Sequence, residues 1–68
     1  MTDEFEIGSY WMSEQDDLVL LVDLKGPTVS YSYVSEPGAL YDTSRPVFSF
    51  FFRRLEPEEE GLMLLQNL

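Results

Sequence analysis

The chain has no cysteine and no histidine, and only four lysines and arginines stand against thirteen aspartates and glutamates in 68 residues. Without cysteine there can be no disulfide and no thiolate metal site, and a reducing, cytoplasmic setting is expected. Without histidine the chain lacks the side chain that most often moves protons or binds transition metals near neutral pH. The scarcity of basic residues leaves a net charge of −9, beyond the magnitude of about 2–8 that solubility requires. Such a field repels nucleic acid and anionic membranes and attracts basic surfaces, so direct nucleic-acid or membrane binding is not expected. Long hydrophobic runs are also missing. The longest, Leu18 to Val22, falls far short of the roughly 20 residues that cross a bilayer. The acidic start, Met1-Thr2-Asp3-Glu4-Phe5-Glu6, reads as neither a signal nor a transit peptide, and a soluble chain is expected.

What is present is enough to fold. A hydrophobic content of 44% and an aromatic content of 15% exceed what a disordered chain carries. Residues 1–68 are expected to form a single acidic β domain, because neither half could build a core alone. A domain of this size buries only about 60% of its unfolded surface. Self-association, as a homodimer, is the reinforcement left once disulfides and metal are set aside.

Periodicity predicts strands through most of the chain. The first is expected at Glu6 to Met12, with Ile7, Ser9 and Trp11 on one face and Glu6, Tyr10 and Met12 on the other. Ser13 to Asp17 has no apolar residue and reads as an exposed loop. Leu18–Leu24 suits a central strand covered on both faces. Lys25-Gly26-Pro27 is a turn signal, and Thr28–Val34 alternates, with Val29, Tyr31 and Tyr33 on one side. These two segments are expected to form an antiparallel hairpin. Ser35 to Arg45, with Pro37-Gly38 and Asp42-Thr43-Ser44, reads as a long loop. Pro46 opens another strand, and Val47–Leu55 places Phe48, Phe50 and Phe52 on one face, where they are expected in the core, and Val47, Ser49, Phe51 and Arg53 on the other. Pro57 before Glu58-Glu59-Glu60 signals a helix start. Gly61 costs a helix about 1 kcal/mol, so one helical turn over Glu56–Glu60 and a final short strand are expected.

This order of four long strands, a helical turn and a short last strand resembles the small SH3-like barrels in topology over most of the chain. The fold class is therefore all-β: a five-stranded SH3-like barrel or a strongly bent antiparallel sheet, with a short helical turn near residues 56–60. A five-stranded OB-like barrel and a sheet with one C-terminal helix are the alternatives. The ligand motifs of SH3-like families, an acidic loop paired with a Trp-Trp strand and a proline-binding Tyr, do not occur here, so the resemblance implies architecture only.

The acids fall into three clusters: Asp3, Glu4 and Glu6; Glu14, Asp16 and Asp17; and Glu56, Glu58, Glu59 and Glu60. Alternate strand residues project about 6.7 Å apart, a spacing near that of successive phosphates, as a mimic of nucleic acid would need. Glu14, Asp16 and Asp17, with Glu58, Glu59 and Glu60, are the candidate acidic contacts for a basic partner. The plainer reading is a solvated surface that limits aggregation. No spaced acidic loop of the calcium-binding kind is present, and no metal or cofactor is expected. A pair of carboxylates could in principle hydrolyse glycosides. A pocket of roughly 300 Å³ would hollow out so small a core, so an enzyme is not expected.

Val47, Phe51, Tyr31 and Tyr33 are the candidate apolar contacts, for a partner or for a dimer. Arg45, Arg53 and Arg54 flank the phenylalanine segment as guards against aggregation, and can pair with the tail glutamates. Trp11 is expected in the core. Taken together, the sequence implies a small acidic interaction module that binds and modulates a basic partner protein. Inhibition of a nucleic-acid-binding enzyme, as a phage-type inhibitor or DNA mimic, is one form of this. The alternative is a structural subunit held in a larger complex through its aromatic face.

Overall fold

The computed structural model describes residues 5–66. Five strands, β1 (Tyr10–Ser13), β2 (Leu18–Lys25), β3 (Thr28–Tyr33), β4 (Tyr41–Ser44) and β5 (Phe52–Arg54), are joined by two helices, α1 (Arg45–Phe51) and α2 (Pro57–Gln66). The strands form one antiparallel sheet in the order β4-β3-β2-β1-β5. β1 to β4 run as a meander; the chain then crosses one face of the sheet in α1 and adds β5 beside β1. The sheet does not close into a barrel. The all-β expectation is therefore corrected to a largely β fold with two short helices.

The β2–β3 hairpin forms as the turn residues require. Lys25 pairs with Thr28 across Gly26-Pro27, and Gly26 sits at φ +57, the glycine-first pattern of a two-residue hairpin turn. β2 lies between β1 and β3. A register shift between Leu21 and Asp23 leaves Val22 outside the ladder, and the bulge lets Val19, Leu21 and Leu24 all join the cluster under α1.

β1 begins at Tyr10, later than alternation alone implies. The Ser9 backbone N–H donates to the Glu6 carbonyl, closing a turn in which Gly8 has φ +91. Ile7 is thereby turned out to solvent instead of facing the core with Trp11.

β4 occupies part of the segment read as loop. Its residues, Tyr-Asp-Thr-Ser, show no apolar alternation, because it is an edge strand held by pairing with β3 and by cross-strand contacts. Asp42 accepts a hydrogen bond from the Ser30 hydroxyl at 2.7 Å, and Tyr41 stacks on Tyr31 with centroids 5.7 Å apart.

The phenylalanine segment departs most from expectation. It is a helix over Arg45–Phe51 followed by the short strand β5. Ser44 caps the helix, its side chain accepting from the Val47 N–H, and Pro46 lies in the first turn. Phe48 and Phe52 are core residues as expected, whereas Phe50 is 79% exposed. A spacing of four residues suits one face of a strand or of a helix. Phe50, two positions from each, is carried about 200° around a helix and out into solvent.

From Pro57 to Gln66 the tail is helical, with no closing strand among the described residues; Gly61 lies within α2 instead of ending it. Glu59 Oε1 accepts the Glu56 backbone N–H at 3.2 Å, as a glutamate three residues after a helix cap does.

The core lies mainly between the sheet and α1. Trp11, Val19, Leu21, Val29, Phe48 and Phe52 form it, with Phe5, Leu24, Tyr31 and Tyr33 at its margin. Trp11 packs edge-on against Phe48 at 4.9 Å, and its indole N–H donates to Ser9 Oγ at 2.9 Å. On the opposite face Met12, Leu18 and Leu55 form a smaller cluster touched by Tyr10, Val34 and, from α2, Met63.

Candidate binding cleft

Ser13 organises the acidic loop. Its hydroxyl oxygen accepts the N–H groups of Gln15 and Asp17 at 3.2 and 3.1 Å. Its own N–H donates to the Asp17 carbonyl at 3.0 Å, and its carbonyl accepts from Asp16 N–H at 3.1 Å. This is a three-residue hairpin loop whose last member, Asp16, takes the left-handed conformation at φ 64. The carboxylates of Glu14 and Asp17 are thus displayed by a hydrogen-bonded turn.

Between this loop, the β3 tyrosines and α1 lies an open cleft of about 280 Å³. Glu14 and Asp17 line one side and Val47 and Phe51 another, with Tyr31 and Tyr33 also in its wall. Phe48 and Phe52 reach it from the core, and Ser13, Gln15 and Thr43 complete its edge. The expectation that so small a chain leaves no room for a cleft is corrected: the space lies on the surface, against the core instead of inside it. A second depression of about 230 Å³ shares Glu14, Phe51 and Phe52 with it and is also lined by Phe50 and Arg53.

The cleft wall continues an aromatic array. Phe52 stacks on Phe48 at 4.8 Å, and Tyr31 packs against both at 5.3 Å. Tyr33 and Tyr41 meet edge to face at 5.4 Å. Burial, followed by the neighbouring phenols of Tyr33 and Tyr41, raises the Tyr31 pKa above its ordinary value. Tyr31 therefore remains a neutral ring at physiological pH.

Six of the residues singled out in the sequence meet here: Glu14, Asp17, Tyr31, Tyr33, Val47 and Phe51. Val47 and Phe51 are 44% and 57% exposed, and meet as neighbours one helical turn apart instead of alternate residues on a strand. Ser49, expected to share their face, lies off to the side of α1 and lines the second depression. Asp16 lies apart from the cleft, beside a smaller depression of about 160 Å³ on the α2 face that Asp17 also borders.

The tail acids form a separate feature at the start of α2. Glu59 pairs with Arg53 through two contacts of 3.0 and 3.2 Å, which hold its carboxyl below the ordinary range, assisted by the Glu56 N–H. Arg54 pairs with Glu6 at 3.1 Å. Arg45 donates from its backbone to Pro27 and from Nε to the Gly26 carbonyl, tying α1 to the β2–β3 turn. Among the described residues no three acidic side chains converge as a metal-binding group, and no helix is long and apolar enough to cross a membrane.

Alternation along the chain does not reveal the parts played by Ser13 and Thr43. The signal for Ser13 was local: a serine immediately before a run of polar residues is a turn-forming pattern. Comparison with protein-family models, curated proteins and solved structures finds no match.

Proposed function

We propose that this protein is a small acidic interaction module that binds and modulates a basic partner protein, acting by contact and not by catalysis. The observation that carries this reading is the meeting of two chemically different sets of residues in one cleft. Carboxylates alone would make a solvated surface; aromatic side chains alone would make an apolar patch. Glu14 and Asp17 beside Tyr31, Tyr33, Val47 and Phe51 form a surface that can steer a basic partner by charge and retain it by burial. The architecture we read as an opened SH3-like sheet, a view supported by the placement of β5 beside β1. The −9 field suits an inhibitor of a nucleic-acid-binding enzyme, working in the cytoplasm, because such enzymes present basic grooves.

The test compares the protein with the triple variant Glu14→Gln, Asp16→Asn, Asp17→Asn. Tagged protein is exposed to an extract of its native host at low and high salt, captured proteins are identified, and association rates with the purified partner are measured. The proposal expects capture of a basic protein that weakens as salt rises, and slower association by the variant at unchanged thermal stability. Capture that is indifferent to salt and to the variant would instead indicate an assembly subunit.

That second reading has its own support. Phe50 and Phe51 stand exposed side by side, with centroids 5.1 Å apart, as they would at an apolar interface in a larger complex or a homodimer. Sedimentation separates the two: a 7.9 kDa monomer at tens of micromolar removes the homodimer.

A further inference from the structure

We infer that the cleft between the acidic loop and α1 receives an arginine side chain of the partner protein. This inference rests on the reading of the protein as a binder of a basic partner and adds the chemistry of the contact. Three observations lead to it.

The first is size. The cleft, an open surface groove of about 280 Å³, has room for a long side chain entering from another molecule.

The second is the pairing of ring faces with carboxylates. Tyr31, Tyr33 and Phe51 line the cleft together with Glu14 and Asp17. Aromatic faces attract cations, and the carboxylates exclude an anion. A purely apolar occupant would dehydrate those carboxylates without offering them a partner. A guanidinium satisfies both at once: it lies flat on a ring and offers donors in its plane to carboxylates. An ammonium is more strongly hydrated and cannot stack.

The third is that the chain cannot supply the cation itself. It has four basic side chains, and Arg53 and Arg54 pair with Glu59 and Glu6. Arg45 bonds the β2–β3 turn and lies over the Phe5 ring. Among the described residues, Glu14 and Asp17 make no ion pair. A second copy would offer chiefly Lys25, an ammonium on a −9 molecule, so the occupant comes from another protein.

The experiment needs no knowledge of the partner. N-acetyl-arginine amide, N-acetyl-lysine amide and N-acetyl-norleucine amide are titrated into isotope-labelled protein at constant ionic strength, and aromatic side-chain NMR signals are followed. The arginine compound should shift Tyr31, Tyr33 and Phe51 with a dissociation constant of about 1–10 mM, leaving Trp11 unmoved. The lysine compound should bind more weakly and the norleucine compound should not respond. Phe51→Leu, which keeps an apolar side chain and removes the ring, should weaken arginine binding by up to about tenfold. Glu14→Gln with Asp17→Asn should weaken it independently, each variant being checked for an unchanged fold by its amide spectrum.

Equal responses to arginine and norleucine, tighter binding of lysine, shifts spread evenly over all acidic regions, or no response up to about 50 mM would each overturn the inference. Its failure is distinct from failure of the parent reading. Salt-sensitive capture of a basic protein with no arginine response removes only the inference. Arginine binding in the cleft with no such capture removes the partner reading and leaves the site.

Discussion

The two faces of the sheet are covered in different ways. Under α1 the side chains interlock: Trp11, Phe48 and Phe52 are in mutual ring contact or one ring apart, and five of the core side chains are completely buried. Under α2 the cover is thin. No residue of α2 is buried; it touches the sheet through the half-buried Met63 and through the exposed Arg53–Glu59 pair. Leu62 and Leu65 face outward. The difference teaches that the short, seven-residue α1 is part of the folding core, whereas the longer α2 is an attachment whose stability is local. Helix length says nothing about which is which, because helical stability in proteins comes from the face that is packed.

The strongest way to break this contrast is to remove the ring at the centre of the α1 face. Phe48→Ala should cost about 3–5 kcal/mol, against a total of roughly 3–10 kcal/mol for a domain of this size. Chemical denaturation should show a protein largely unfolded. Phe50→Ser is the companion, since it removes an identical ring from the same helix but from the solvent side. Its unfolding free energy should change by no more than about 0.5 kcal/mol. A large loss at Phe50 would restore the strand arrangement and overturn α1.

Changes on the α2 face should be smaller and local. Met63→Ala should cost about 1 kcal/mol, read as faster amide exchange in α2 with little change in β1–β3. Gly61→Ala works in the opposite direction. The position is helical, has no left-handed backbone, and a methyl group there would meet nothing within 4 Å. It should stabilise α2 by up to about 1 kcal/mol, leaving the sheet unaltered.

The smallest effect is the pH response of the Arg53–Glu59 contact. The Glu59 pKa is lowered from its ordinary value of 4.5, first by the Arg53 hydrogen bonds and then by the Glu56 N–H. A carboxyl depressed in the folded state stabilises it fully above the ordinary value, and that contribution is lost as pH falls through the folded value. Both groups are exposed, so the gain is small. Acid titration followed by NMR should show α2 signals responding below about pH 4.5 before the Trp11 and Phe48 signals do. Simultaneous loss of both faces would mean that α2 is coupled to the core after all.

Local rules settle much of this protein. The β2–β3 hairpin follows from an unbroken aliphatic segment, Gly26-Pro27, and strict alternation after it. The exposed acidic loop follows from five consecutive residues with no apolar side chain, and the core position of Trp11 from its place in a strand of a small domain. The acidity follows from composition alone. Elsewhere the local signal was degenerate and long-range packing decided. Phe48 and Phe52 satisfy a strand and a helix equally, and only the Ser44 cap and the placement of β5 beside β1 select the helix. β4 carries no pattern because an edge strand draws its stability from its neighbour. α2 runs on through Gly61, and which of its side chains meets the sheet, Met63 against Met12, Leu18 and Leu55, is set by the fold and not by the tail's own pattern. The cleft belongs to the same class. Charge and aromatic content named most of its residues, but only the crossing of α1 over the sheet brings Phe51 to Glu14, residues far apart in the chain. Proximity of that kind is a property of the folded surface, and spacing along the chain does not encode it.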